Sequence, residues 1–394
     1  MPGRCLLMEG IKRNIRLFHV YMFLNRLEMW EPIVVLLVLS RGFSLTQYAL
    51  LDSLWYLSTL VFEIPTGAVT DRYGKRISLL ISALTQSASF LLLAFGRSFL
   101  LLALSNVLWG FASSFETGTS SAFIYDSLKQ VNREGEYRRV MGRNTTLVFL
   151  ASALGSIVAG LLGGIDLTIP IVITAAIPLL TSPLILLFRE PEVADAPEPT
   201  YLRHIRQSTR YVLGRRTVAL LLLYAAIVGA FVWAMRDFYQ PLLDSYGISV
   251  QAIGMLYLLF KLCCSAGAHF ADPISKRIGQ AAIYLIPACL VVSASCMGWL
   301  TAPWAVGFIF VIFFVEGFSY PVLDAMIGKR IPSGKRATII SLGSVLSCLM
   351  SSALNPVLGY IGDAFSLRTV FWVLALGTLI AMSAVLGSLR RETV

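Results

Sequence analysis

Hydrophobic positions along this chain fall in long unbroken blocks rather than at the alternating or three-to-four-residue spacing of half-buried elements. A block of about 20 predominantly apolar residues spans the hydrocarbon core of a bilayer as a helix. The first six blocks predict helices over Ile15–Leu39, Leu45–Val69, Ile77–Phe95, Leu100–Tyr125, Thr145–Gly164 and Thr168–Phe188. Six more follow over Val218–Leu243, Val250–Phe270, Ala281–Leu300, Pro303–Ile327, Thr338–Ile361 and Thr369–Leu389. The pattern predicts an all-α membrane protein with twelve transmembrane helices. Between the sixes, 189–216 is first rich in Pro and Glu and then basic. It reads as a linker followed by a short amphipathic surface helix. The expected organisation is a six-helix bundle over 1–188, a cytoplasmic linker over 189–216 and a second six-helix bundle over 217–394.

Composition agrees with the blocks. The 394 residues are 57% hydrophobic and 14% charged, with a mean hydropathy of +0.75. Soluble domains are roughly 45–50% apolar and about a quarter charged. The first apolar block is long and lacks a small-residue cleavage site, so it reads as a retained helix and not a signal peptide.

The net charge of +10 invites a nucleic-acid reading, but the placement of the charge opposes it. Three basic residues, Arg26, Arg236 and Lys261, fall inside helices, and three, Arg41, Arg97 and Arg368, fall in one set of alternate loops. All the other Lys and Arg residues fall on the opposite side. That asymmetry is the positive-inside rule, and it predicts both termini in the cytoplasm of a bacterial inner membrane. The Asn144-Thr145-Thr146 sequon then lies on the cytoplasmic side, where it is not glycosylated.

Six scattered cysteines and three distant histidines lack metal-ligand spacing, and no cofactor or metal is expected. No GxxxxGK[ST], HExxH or GxSxG pattern occurs. ATP-driven transport and hydrolytic chemistry have no support, and the chain is not read as an enzyme.

After the second helix stands Gly67-Ala-Val-Thr-Asp71-Arg72-Tyr-Gly74-Lys75-Arg76. Gly67 suits close helix approach and Gly74 a tight turn. Asp71 suits a helix terminus, and Arg72, Lys75 and Arg76 anchor a loop at a charged membrane face. This stretch resembles the GxxxDRxGRR signature of the major facilitator superfamily. A decayed copy, Asp272 to Gly279, keeps Arg277-x-Gly279 at an offset of 205 residues, with Asp272 and Lys276 in place of the first Gly and Asp. The resemblance covers the whole chain. It implies two pseudo-symmetric six-helix bundles, a conformational latch built on the motif, alternating access, and a monomer. Drug:proton antiporters of that family carry an Arg four residues before a helix-4 Gly, where this chain has Asn106 before Gly110. Of their helix-5 GPxxGG pattern, only Gly163-Gly164 is kept.

Charges within the apolar blocks are the candidate chemistry, because each costs at least roughly 2.5–3.5 kcal/mol to insert at mid-membrane. They are Arg26, Glu28 and Glu31 in the first helix, Asp52 and Glu63 in the second, and Glu116 in the fourth. Arg236 and Asp237 lie in the seventh, Lys261 in the eighth, and Glu316 and Asp324 in the tenth. The resemblance implies that helices 1, 4, 7 and 10 line the transport cavity, and most of these charges fall there. At about 1.5 Å per residue, Arg26 and Glu116 lie roughly 18 and 15 Å from their cytoplasmic helix ends, a depth at which they can pair. Lys261 and Glu316 match in depth as well. Glu31 and Arg236 are related by the same offset of 205 residues and are expected to form an outer gate. On a continuous helix Arg26 points away from Glu28 and Glu31, so the segment near Pro32 is irregular or the faces meet different neighbours. Glu63 and Asp324 lie near cytoplasmic ends, where binding loop cations is an equal reading. Asp52 reads as a satisfied structural carboxylate as readily as a functional one. Glu116 is the leading proton carrier. Trp30, Trp109, Trp233 and Tyr320 are candidate aromatic contacts for a flat or cationic substrate.

The leading function is proton-coupled efflux of a small amphipathic or cationic compound, with the bilayer and a small molecule as partners and no nucleic acid. Proton-coupled uptake of a metabolite that Arg26, Arg236 and Lys261 would grip is the alternative. A transporter-like sensor without flux is the alternative of another class.

Overall fold

The computed structural model describes residues 2–191, 209–301, 303–332 and 336–393. The central part of the linker, 192–208, where most of the expected amphipathic helix falls, lies outside the described residues. No strand occurs among the described residues. The helices of the first half are α1 (Pro2–Asn25), α2 (Val34–Ser40), α3 (Leu45–Tyr73), α4 (Lys75–Phe95), α5 (Phe99–Gln130), α6 (Tyr137–Gly163) and α7 (Thr168–Leu186). Those of the second half are α8 (Arg216–Ser245), α9 (Val250–Ile278), α10 (Ala282–Trp299), α11 (Val306–Gly328), α12 (Arg336–Ala364) and α13 (Leu367–Thr393). The twelve expected spans correspond to α1 with α2, and then α3 to α13 in order.

Among the described residues, nine helical stretches are long and apolar enough to cross a bilayer: α4 to α8, the stretch Val250–Trp299 that holds both α9 and α10, and α11 to α13. The first span is broken, and α3 carries Asp52, Glu63 and many Ser, Thr and Gln positions, which lower its mean hydropathy. Several helices outrun the apolar blocks. α3 continues to Tyr73, α6 begins at Tyr137 and α9 continues to Ile278, because charged turns remain helical beyond the apolar stretch.

The largest departure is in the first span. The expected helix Ile15–Leu39 is interrupted between Asn25 and Val34. Pro32 has no amide to donate and disfavours helical geometry at the residue before it. The freed backbone finds other partners. The Met29 amide donates to Thr174 Oγ1 at 3.2 Å, and the Ile33 amide to the Trp30 carbonyl at 3.1 Å.

The chain divides into two compact units. One comprises Met1–Leu37, Leu54–Pro197 and Ser249–Leu258, and the other Val38–Ser53, Glu198–Ile248 and Leu259–Val394. In the first unit α6 and the start of α9 cross at two glycines. A Cβ on Gly254 would stand 2.5 Å from the Gly160 Cα, so only glycine admits this approach. A Phe18, Tyr21, Phe123 and Phe188 cluster packs α1 against α5 and the end of α7. In the second unit, Asp363 near the end of α12 caps the start of α3. Its carboxylate accepts from the amides of Leu45 and Thr46 at 3.0 and 2.8 Å.

Candidate functional site

In the first unit the break in the first span sets the chemistry. Arg26 is the first residue after α1, and Glu28 lies in the non-helical stretch, so their side chains meet on one side despite their poor helical phase. The Arg26 guanidinium pairs with Glu28 Oε1 at 2.8 Å and, across to α5, with Glu116 Oε1 at 2.6 Å. The Arg26–Glu116 pair that their depths allowed is therefore formed. One cation serves two carboxylates. The side chains are 29%, 16% and 9% exposed, so solvent reaches the cluster without flooding it. Glu31, directly before Pro32 in the same non-helical stretch, is buried.

An aromatic wall stands in the same unit. The Trp109 ring meets Trp30 edge-on at 4.4 Å and stacks on Trp55 at 4.8 Å, and Phe90 closes against both Trp30 and Trp109. The buried Trp30 indole N–H and Tyr21 hydroxyl have no hydrogen-bond partner among the described residues. Tyr21 lies within the electrostatic reach of both Glu116 and Arg26.

In the second unit Arg236 lies over the Trp233 ring at 5.2 Å and 4.0 Å from Glu316 Oε1. The Trp233 indole hydrogen-bonds with Tyr320. Lys261, Arg236 and Glu316 all act electrostatically on Cys264, which places Lys261 in the same cluster. Asp324 and Glu63 are exposed.

Next to Arg236 in sequence is a group that charge counting alone did not assemble. Asn355 Nδ2 donates to Asp52 Oδ2 at 3.0 Å and to Asp237 Oδ2 at 2.8 Å. The Tyr48 hydroxyl donates to Asp237 Oδ1 at 3.1 Å. Asn355 is fully buried and its Oδ1 has no partner among the described residues. The sequence pointed to the two acids separately. An uncharged Asn carries no insertion penalty large enough to stand out in a hydropathy reading, and it is the residue that joins them.

The motif at the junction of α3 and α4 forms a stapled turn. Gly74 adopts φ +90°, which a side chain rarely tolerates. The Glu190 carboxylate caps α4 by accepting from the amides of Lys75 and Arg76 at 2.6 and 2.8 Å. Lys75 Nζ pairs with Asp126 at 2.7 Å, and Arg76 donates to the Leu186 carbonyl. Arg72 stacks on Tyr73. Gly279 in the decayed copy also has positive φ, +55°. One expectation for the motif is not met here and another is met only in part. Among the described residues, nothing lies within 4 Å of a Cβ built on Gly67, so it makes no close helix approach to them. Asp71 stands in the last turn of α3, at a helix terminus as expected, but it is exposed and has no hydrogen bond or ion pair among the described residues; the cap of α4 comes from Glu190.

A family model described as Major Facilitator Superfamily matches residues 20–355 and 241–393. An uncharacterized MFS-type transporter, YxaM of Bacillus subtilis (strain 168), is 22% identical over 92% of this chain and 93% of its own length. The class D tetracycline resistance protein of Salmonella ordonez is 25% identical over 71% of each chain. The nucleoside transporter NupG shares the fold, with a TM-score of 0.80 at 13% identity over 95% of this chain and 98% of its own. A bacterial homolog of the human lysosomal transporter Spinster aligns with a TM-score of 0.76 at 15% identity, over 99% and 98% of the two chains.

Proposed function

The chain belongs to the Major Facilitator Superfamily and is a membrane transporter, not an enzyme, and from that membership we propose that it expels a small amphipathic or cationic organic compound in exchange for protons. The observation that carries this reading is the sharing of Arg26 between Glu28 and Glu116. One guanidinium facing two carboxylates leaves an excess of negative charge in a partly dry site. A proton or a cationic substrate neutralises that excess, and the two compete for it. The Trp30–Trp109–Trp55 wall offers ring faces to a flat or cationic molecule. The unpartnered Trp30 indole N–H offers it a hydrogen bond. Similarity to tetracycline resistance proteins at low identity supports export of an organic compound.

In this reading Glu116 carries the proton, Glu28 holds Arg26 while Glu116 is neutral, and access alternates between the two sides. The chain acts as a monomer in a bacterial inner membrane, with both termini cytoplasmic and bundles over 1–188 and 217–394. The motif around Gly74 is a latch whose acid, Asp71, takes its partner in another conformation.

A second reading rests on the other cluster. Arg236 over Trp233, with Lys261 and Tyr320 beside it, suits a carboxylate- or phosphate-bearing metabolite, and so favours proton-coupled uptake.

Inside-out vesicles carrying a fluorescently reported pH gradient test both. Dequenching by a cationic or amphipathic compound, abolished in Glu116→Gln, is the expected result. Dequenching unchanged by that substitution removes Glu116 from the path. A response only to organic acids in right-side-out vesicles replaces efflux with uptake. Binding without flux in either orientation leaves a sensor.

A further inference from the structure

The charged residues discussed so far leave one concentration of charge unused. A cavity of about 720 Å³ opens in the first unit, where the middle of α1 meets the α5–α6 connection and the first turns of α6. Five arginines line it: Arg13, Arg16, Arg133, Arg139 and Arg143. Only one carboxylate, Glu136, is among the lining residues, and it is already committed. The Arg133 fork holds it through Nε at 2.5 Å and a terminal nitrogen at 2.7 Å. That pairing keeps Glu136 below its ordinary carboxylate range. Arg139 feels only the more distant field of the same group. Arg13 donates to the Leu187 carbonyl, a neutral acceptor. Arg16 and Arg143 have no carboxylate partner among the described residues.

Five guanidiniums around one neutralised acid repel one another, and the repulsion is relieved by an anion. Arginine forks match phosphate oxygens in bidentate geometry, which a diffuse basic surface does not require. The volume is too large for an inorganic ion alone and falls within the roughly 300–1,000 Å³ of sites for small organic ligands. Ile15 and Val140 add an apolar ledge, and His19 a further polar edge.

We propose that this cavity binds an organophosphate, with Arg16 and Arg143 gripping the phosphate and Ile15 and Val140 packing its organic part. The ligand is either the headgroup of an anionic phospholipid or a soluble phosphate ester. The site is separate from the Arg26 cluster and does not depend on the transport reading above.

Purified full-length protein in detergent micelles separates the sources. Phosphatidylglycerol is titrated and followed by native mass spectrometry, and glycerol phosphate by calorimetry. Losing two charged hydrogen-bonding partners predicts binding weaker by at least about tenfold in Arg16→Gln/Arg143→Gln. Lys329→Gln/Arg330→Gln, a basic pair remote in sequence, should bind as the parent does. Binding of phosphatidylglycerol alone identifies a lipid site, and binding of both probes a phosphate-ester site. Should the glutamine pair fail to fold, Arg16→Lys/Arg143→Lys keeps the charge but loses the fork, and is expected to lose affinity in part. The proposal is overturned if neither probe binds the parent, if the Lys329/Arg330 variant loses as much as the cavity variant, or if the lysine variant binds unchanged.

Discussion

The carboxylates of Asp52 and Asp237, 185 positions apart, accept hydrogen bonds from one and the same nitrogen, Nδ2 of Asn355, at 3.0 and 2.8 Å. Tyr48 supplies a further donor to Asp237. Two carboxylates around one donor form a group that a single added proton completes. Asp52→Asn and Asp237→Asn each remove one acid and leave a similar shape. Each is expected to fold and to slow proton-driven transport by about tenfold or more, the scale of one lost charge-assisted hydrogen bond. Counterflow of substrate at equal pH on both sides should be affected less. Equal loss in both assays would make the pair a packing feature.

Arg26 holds Glu116 and Glu28 together. Arg26→Ala strands two acids in a partly buried site and is expected to cost about 3 kcal/mol, the lower end for breaking a buried pair, in thermal unfolding of the purified protein. Adding Glu116→Gln to that variant should recover part of the loss, because one of the stranded charges is gone. A double-mutant cycle checks this, and strict additivity would mean that the two side chains do not interact.

The fold was legible because a membrane chain must write its spans as apolar blocks and its sidedness as basic loops. The Gly67–Arg76 stretch added the family. Arg26 and Glu116 were legible as a pair because depth along two helices limits which charges can meet. What was not legible depended on contacts without a charge or hydropathy signature. Asn355 joins Asp52 to Asp237 yet looks like any polar residue in a span. Glu190 caps α4 from a segment that reads as linker, so a cap more than a hundred residues distant had no local signal. Pro32 announced an irregularity, but not that the break would swing Arg26 and Glu28 together.

The turn at Gly74 gives a sharper test of the motif. Its φ of +90° is strained for any side chain, and an added Cβ would stand 2.9 Å from the Glu190 carboxyl carbon. Gly74→Ala therefore meets both backbone strain and a clash with the group that caps α4. Glu190→Ala loses only the cap, a cost of about 1 kcal/mol. Thermal unfolding should rank Gly74→Ala as the more damaging. The reverse order would mean that the turn relaxes freely and that Glu190 alone holds it.

The crossing of α6 and α9 at Gly160 and Gly254 leaves no room for a side chain, since even the first carbon on Gly254 would press on the Gly160 backbone at 2.5 Å. Backbone cannot yield as a flexible side chain does, so the helices must part. Gly254→Ala is expected to cost about 1–3 kcal/mol, the range for overpacking, and Gly254→Leu more. If the crossing persists throughout the transport cycle, both variants lose stability and flux in parallel. If it opens during the cycle, a side chain there penalises only the packed state. Accessibility of a cysteine placed at Gln251, beside the crossing, would then rise in Gly254→Ala while the protein stays folded. Cysteine labelling together with thermal unfolding separates the two, and an unchanged labelling rate with full stability would show that the glycine contact is dispensable.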